Sequence, residues 1–220
     1  MFNLSVSQLK LFNSSKAKRV WEKCLWIKDD FQNDSYSIWL LVEDFLLNSE
    51  HDISNVDNII QWNIIKDQEK VREWYNNAKK NTVWLELEVG FVQYKVEWNL
   101  LWYNFIWYVD NLTNEWIEDI KTTQYLTNIE NKWSENSWSW LTTYQEYELQ
   151  LWVYMKLLDR DKARIVEVSK HEYKDWKPRN QFIEFHRTKE MDQRMEETRW
   201  PKVKEMFELY QRYSSLNLNN

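Results

Sequence analysis

Asp110 is followed nine residues later by Asp119-Ile120-Lys121, and no other spacing in the chain carries as much chemistry. Tyr108-Val109-Asp110 and Ile117-Glu118-Asp119-Ile120-Lys121 flank a polar turn, which predicts a hairpin that brings Asp110 and Asp119 together. Lys121 lies two residues beyond Asp119, so both side chains leave the same face of the pleat. Two carboxylates and an ammonium on one sheet face suit a hard divalent cation, Mg²⁺ or Mn²⁺, held by oxygen ligands. The lysine could then position or deprotonate a water for attack on phosphorus. A solvated strand face bearing an Asp–Lys pair has the same pattern, and the residues alone leave both readings open.

The elements that must hold these groups follow from periodicity. Residues 5–25 carry Leu9, Phe12, Val20, Cys24 and Leu25 at helical intervals, with Ser5 and Ser7 as N-cap candidates. Ile38 to Leu47 forms a second amphipathic helix, and residues 55–80 read as helical and polar. The period then becomes two. Leu85, Leu87, Val89 and Phe91 alternate with Glu86, Glu88 and Gly90, and strands follow at Gln93–Val96 and Tyr103–Ile106. Beyond the hairpin, residues 125–141 read as loop and 142–159 as helix. Strands at Ala163–Val168 and Gln181–Phe185 precede a charged helix from about Lys189 to Tyr213, interrupted or restarted near Pro201. Together these elements predict an α/β (α+β) fold with a central mixed sheet flanked by helices. We expect one domain over 1–213, its helical part at about 1–80 and its catalytic sheet and helices at about 81–213. Residues 214–220 read as a frayed tail.

Composition narrows the function. The formal charge of −6 is not that of a passive nucleic-acid coat, yet residues 156–204 are net +4 against −9 for residues 1–155. A single cysteine, Cys24, excludes an internal disulfide and cannot supply the thiolates of an iron–sulfur cluster. His51, His171 and His186 lack the spacing of a metal motif. With no apolar run of about 18 residues and no leader-like start, the expected location is the cytoplasm, without membrane attachment.

Sixteen tryptophans stand against one glycine, Gly90. Average usage would give a chain of this length about 15 glycines. Trp116 ends a polar turn, Trp138 and Trp140 alternate with serines, and Trp176 lies in Lys174-Asp175-Trp176-Lys177-Pro178. Such turns favour a residue that tolerates positive φ, which an indole-bearing residue does not. These positions predict that a codon decoded as tryptophan, most simply UGA, specifies glycine in the source lineage.

With glycine at those positions, Trp107-Tyr108-Val109-Asp110 becomes Gly-x-(Ile/Val)-Asp, followed by Asp119-Ile120-Lys121-Thr122 as Asp-x-Lys-Thr. Four more segments keep their order. They are Leu4-Ser5-Val6-Ser7-Gln8-Leu9 with Phe12, Leu25-Trp26-Ile27-Lys28, Trp39-Leu40-Leu41-Val42-Glu43 and Gln150-Leu151-Trp152-Val153-Tyr154. In these residues the chain resembles the PD-(D/E)XK nuclease superfamily, in particular its RecB-like exonuclease branch. The resemblance implies a restriction-endonuclease-like core in which Glu43, Asp110 and Asp119 bind Mg²⁺ or Mn²⁺, with the Ile120 carbonyl as a further ligand. It implies that Lys121 activates water and that Gln150 and Tyr154 orient the hairpin or touch the DNA backbone. Many relatives carry His where Glu43 stands, and the adjacent Asp44 leaves the helix ligand ambiguous by one residue. Glu88 reads as structural. The iron–sulfur members need four cysteines and are excluded.

The expected activity is metal-dependent hydrolysis of DNA phosphodiesters, by an exonuclease acting on DNA ends in recombination, repair or phage DNA processing. DNA is the expected partner, and a homo-oligomer or a recombination partner protein is left open. Two other classes stay in view. Genuine tryptophans would suit a non-catalytic module that stacks on nucleic-acid bases or sugars, and a PD-(D/E)XK fold can also persist as a catalytically inactive interaction protein.

Overall fold

The computed structural model describes residues 3–4, 34–47, 67–100, 103–127, 142–172 and 178–201, together with 204, 205 and 208. The expected first helix at 5–25, the motif around Leu25, residues 55–66 and the tail lie outside them. The described elements are β1 (Asn3–Leu4), α1 (Asp34–Leu47), α2 (Gln68–Asn81), β2 (Phe91–Leu100), β3 (Tyr103–Leu112), β4 (Ile117–Thr123), α3 (Thr143–Leu158), β5 (Lys162–Ser169), β6 (Asn180–His186) and α4 (Lys189–Arg194).

One mixed sheet organises them in the order β1-β3-β4-β5-β6, with β2 also paired to β3. β3 is therefore a branch point. It runs antiparallel to β2 along its length, pairs with β1 at Asn104 and Phe105, and meets β4 only at Asn111–Glu118 and Leu112–Ile117. Past that contact β4 runs parallel to β5 from Ile117–Ala163 to Thr123–Ser169, and β6 closes the far edge antiparallel to β5. The α3 crossover between β4 and β5 makes that parallel pairing possible.

Alternation along the central strands buries both faces. Ile117, Ala163 and Ile165 pack into the core shared with α3 and α4, whereas Ile120, Val166 and Val168 pack with Ile38, Val42 and Leu47 of α1 and Ala78 of α2. Two helices start on side-chain caps. Asp67 caps α2 by accepting from the Lys70 amide at 3.0 Å. Thr142 and Gln145 form a reciprocal capping box on α3, with hydrogen bonds of 3.2 and 3.1 Å. Among the described residues no helix is long and apolar enough to cross a membrane.

Three local expectations change. Residues 85–90 are not a strand, because the Asn111 side chain takes the place of a ladder: it accepts from the Gly90 amide and donates to the Glu88 carbonyl, both at 2.8 Å. A Cβ on Gly90 would lie 2.2 Å from the Leu112 carbonyl oxygen, so this approach needs glycine. The two short strands expected on either side of Trp107 are one continuous β3. Near the C-terminus the helix does not break at Pro201. It widens into a π-turn over Met195–Arg199 and is again helical at Trp200 and Pro201, a route that relieves the missing N–H and the ring clash of proline.

Candidate active site

The site lies where β3 and β4 part. Asp110 is the residue before the last recorded β3–β4 pair, and it spends one carboxylate oxygen on the backbone: Oδ2 accepts from the Ile120 amide at 2.7 Å. Asp119 is ion-paired with Lys121 through Oδ2 and accepts from Gln150 Nε2 through Oδ1. From the other side α1 delivers Glu43, whose Oε1 accepts from Gln93 Nε2 of β2. Glu43, Asp110 and Asp119 are buried, at 5, 4 and 2 % exposure, while the Lys121 side chain keeps 24 %.

α3 braces this fork. Gln150 and Tyr154 sit one turn apart, and the Tyr154 hydroxyl donates to the Tyr108 carbonyl at 3.1 Å while Gln150 reaches β4. Both side chains are buried. Each thus hydrogen-bonds to one of the two strands.

The charges are crowded. Burial pushes the Glu43 carboxyl up to about 7, aided by the charges of Asp119 and Asp44 and opposed by the Gln93 hydrogen bond and Lys121. Burial raises Asp110 as well, and the Asp119 charge pushes it further up. For Lys121 burial pulls the other way, but the carboxylates of Asp119 and Asp110 win and hold the ammonium protonated. Tyr154 is raised by burial and by the same two aspartates.

Glu43 faces this cluster. The Asp44 charge acts on Glu43 and also on the Tyr75 phenol of α2, which burial raises and Asp44 raises further. The Glu88 side chain is exposed, so that carboxylate stays outside the site. The Ile120 carbonyl is covered, because it accepts from Trp39 Nε1 at 2.7 Å, with the Trp39 ring 6.0 Å from Lys121 Nζ.

Among the described residues no three acidic or histidine side chains converge closely enough, as they stand, to hold a metal ion. The donor set still has the chemistry of a hard cation site. Glu43 Oε2 is buried and accepts no hydrogen bond, and Asp119 Oδ2 has only the Lys121 ammonium beside it; a buried carboxylate oxygen left unpartnered, as Glu43 Oε2 is, is rare unless something compensates it.

Two groups escape the sequence reading. Gln93 carried no signal beyond its place in a strand. Glu167 did: it is a lone carboxylate inside Ile165-Val166-Glu167-Val168, in the interior strand β5. Fully buried, it accepts from the Thr127 amide at 2.8 Å and hydroxyl at 2.6 Å, from the Tyr147 hydroxyl at 2.8 Å and from Gln181 Nε2 at 2.6 Å. It ties the segment after β4, α3 and β6 to the strand beside Lys121.

No family model matches the sequence, and no curated protein matches it. Among solved structures the fold is similar to that of a provisionally named exonuclease from Eubacterium rectale, at a TM-score of 0.65 and 15 % identity over 95 % of this chain and 81 % of that one. An alkaline exonuclease from Laribacter hongkongensis aligns at a TM-score of 0.46 and 12 % identity, covering 99 % of this chain and 94 % of that chain. A phage-related exonuclease from Haemophilus somnus 129PT aligns at 0.42 and 16 %, covering 98 and 96 %. The architecture is thus a restriction-endonuclease-like α+β fold, a mixed sheet with helices on both faces.

Proposed function

We propose that the chain is a metal-dependent DNA nuclease of the PD-(D/E)XK type, an exonuclease acting on DNA ends in recombination, repair or phage DNA processing. The observation that carries this reading is that Glu43, Asp110, Asp119 and Lys121 lie within electrostatic reach of one another at the β3–β4 fork, in a fold like that of the Eubacterium rectale protein. Glu43, Asp110 and Asp119 would hold Mg²⁺ or Mn²⁺, which supplies Lewis-acid stabilisation of the phosphoryl oxygens and an acidified water. The chain's own residues do the rest. Asp110 fixes the Ile120 amide and so sets the spacing of the strands, while Gln150 holds Asp119 in place. Lys121, protonated beside Asp119, orients a water and offsets the charge that develops on phosphorus. Ile120 is a further ligand only where its carbonyl is released by Trp39.

The test is hydrolysis of end-labelled DNA with Mg²⁺, Mn²⁺ or EDTA. Metal-dependent release of nucleotides supports the reading, and DNA binding without hydrolysis under all three conditions overturns it. A base-stacking module would need indoles grouped on an exposed face. Among the described residues Trp107 and Trp152 are buried, and Trp84 alone is a strongly exposed tryptophan.

A separate observation bears on the tryptophans. Trp84 has φ of 74° and is 87 % exposed, at the third position of a turn closed by the Leu85 amide on the Thr82 carbonyl at 2.9 Å. That backbone is a glycine position. We infer that it is glycine in the natural protein, together with most of the other fifteen. Trp116 does not add to this, since its φ is not positive; Trp138, Trp140 and Trp176 lie outside the described residues. The intact mass of the protein from its own source decides the matter.

A further inference from the structure

The β2–β3 ladder keeps one register from Phe91–Leu112 to Leu100–Tyr103 and misses a single rung, Gln93 opposite Asp110. Gln93 sits there with φ of 51°, in the left-handed region. A non-glycine residue in that conformation inside a strand costs free energy, and such outliers persist where the surroundings impose them. The surroundings here are the site. The rotated residue directs its side-chain amide to Glu43, donating to Oε1 across 50 positions of sequence, and leaves Oε2 buried with no hydrogen bond.

We propose that Gln93 is a positioning residue that fixes the Glu43 carboxylate so that Oε2 is the oxygen presented to a divalent cation. The inference rests on the metal-nuclease reading above. An extended backbone at this rung would point the side chain along the normal alternation of β2 and restore the pairing with Asp110. The strained φ exchanges that ladder bond for control of Glu43. Gln93 touches neither substrate nor reacting atoms in this role. It acts through the carboxylate, as the outer partners of metal ligands generally do.

Two substitutions separate the side chain from the backbone. Gln93→Gly removes the amide and relieves the positive φ, whereas Gln93→Ala removes the amide and keeps the strain. Mn²⁺ binding is measured by titration calorimetry and by loss of the free-ion EPR signal, without DNA, alongside thermal melting of the metal-free proteins. Both variants should bind Mn²⁺ roughly tenfold or more weakly than the parent, while the melting temperature rises in Gln93→Gly and falls in Gln93→Ala. Affinity would then follow the amide and stability the backbone, a split that a purely structural role does not produce. Unchanged Mn²⁺ affinity in both variants, with a parent that binds, overturns this inference alone. A parent that binds no Mn²⁺ overturns the metal-nuclease reading and the inference with it.

Discussion

Trp39 and Ile120 are joined by a 2.7 Å hydrogen bond from the indole Nε1 to the main-chain carbonyl, 81 positions apart in sequence and at the centre of the site. The bond occupies the carbonyl that the family resemblance assigns to metal binding. Trp39 is also one of the positions at which that resemblance has glycine. Trp39→Gly should therefore free the Ile120 carbonyl and tighten Mn²⁺ binding on the order of fivefold, the equivalent of about 1 kcal/mol for one hydrogen bond. Equal affinity in calorimetric titrations of the two proteins would remove Ile120 from the ligand set.

Asp110→Ala, Asp119→Ala and Lys121→Ala should each reduce DNA hydrolysis by roughly 10²-fold or more. Their other properties should differ. Lys121→Ala keeps the carboxylates and should still bind Mn²⁺ and DNA, whereas the aspartate variants should lose the ion. Asp110→Ala also strands the Ile120 amide, which costs about 1–3 kcal/mol of stability and should appear as a lower denaturation midpoint. Parental turnover by Lys121→Ala would place the catalytic centre elsewhere.

The metal-free protein should lose stability as pH rises from 4.5 to 7. The Glu43 carboxyl moves from an ordinary 4.5 to about 7 through burial, so across that window the native state holds a proton that the unfolded chain has released. Stability is then greatest below the lower value and levels off above the higher one, a fall of up to roughly 3 kcal/mol. Asp110, raised by burial and by Asp119, acts in the same direction. Glu43→Gln should remove the Glu43 share of this slope in melts taken with EDTA at pH 5 and pH 8, leaving that of Asp110. A parent slope no steeper than that of the variant would show that Glu43 is not the titrating group.

Glu43 and Asp44 can be told apart by their metal dependence. Glu43→Gln should raise the Mg²⁺ concentration for half-maximal hydrolysis, and Glu43→His should recover part of the activity with Mn²⁺, which accepts imidazole more readily. Asp44→Asn is the matched control and should change neither. A shift in metal dependence confined to Asp44→Asn would assign the ligand to the neighbouring residue.

Trp84→Gly should stabilise the protein, because it removes the cost of a left-handed backbone from an exposed side chain that packs on little. A gain of about 1 kcal/mol is expected. A lower melting temperature would mean that the indole contributes contacts that outweigh its strain.

The sequence made the hairpin and the capped helix legible for separate reasons. Asp110, Asp119 and Lys121 sit on two segments that flank a polar turn, and residues 142–159 read as the helix that carries Gln150 and Tyr154. Glu43 could be placed only to within one residue, because either carboxylate fits an amphipathic helix whose facing partner is unknown. Gln93 was invisible. Its role comes from a φ value and from a contact with α1, and neither is written in local pattern. Residues 85–90 misled for a related cause: Leu85, Leu87 and Val89 alternate as a strand does, yet the Glu88 carbonyl and the Gly90 amide bond to the Asn111 side chain, and the Leu85 amide bonds to the Thr82 carbonyl.

The parting of β3 and β4 beside Asp110 leaves main-chain groups that bond to side chains instead of across a β3–β4 ladder. The Ile120 amide turns to Asp110, and the Ile120 and Tyr108 carbonyls turn to side chains on two different helices. Frame and site thus share the same atoms. The backbone amide of Ile120 becomes an internal reporter: its NMR shift and exchange rate register whether Asp110 carries a proton, a charge or an ion, before any substrate arrives.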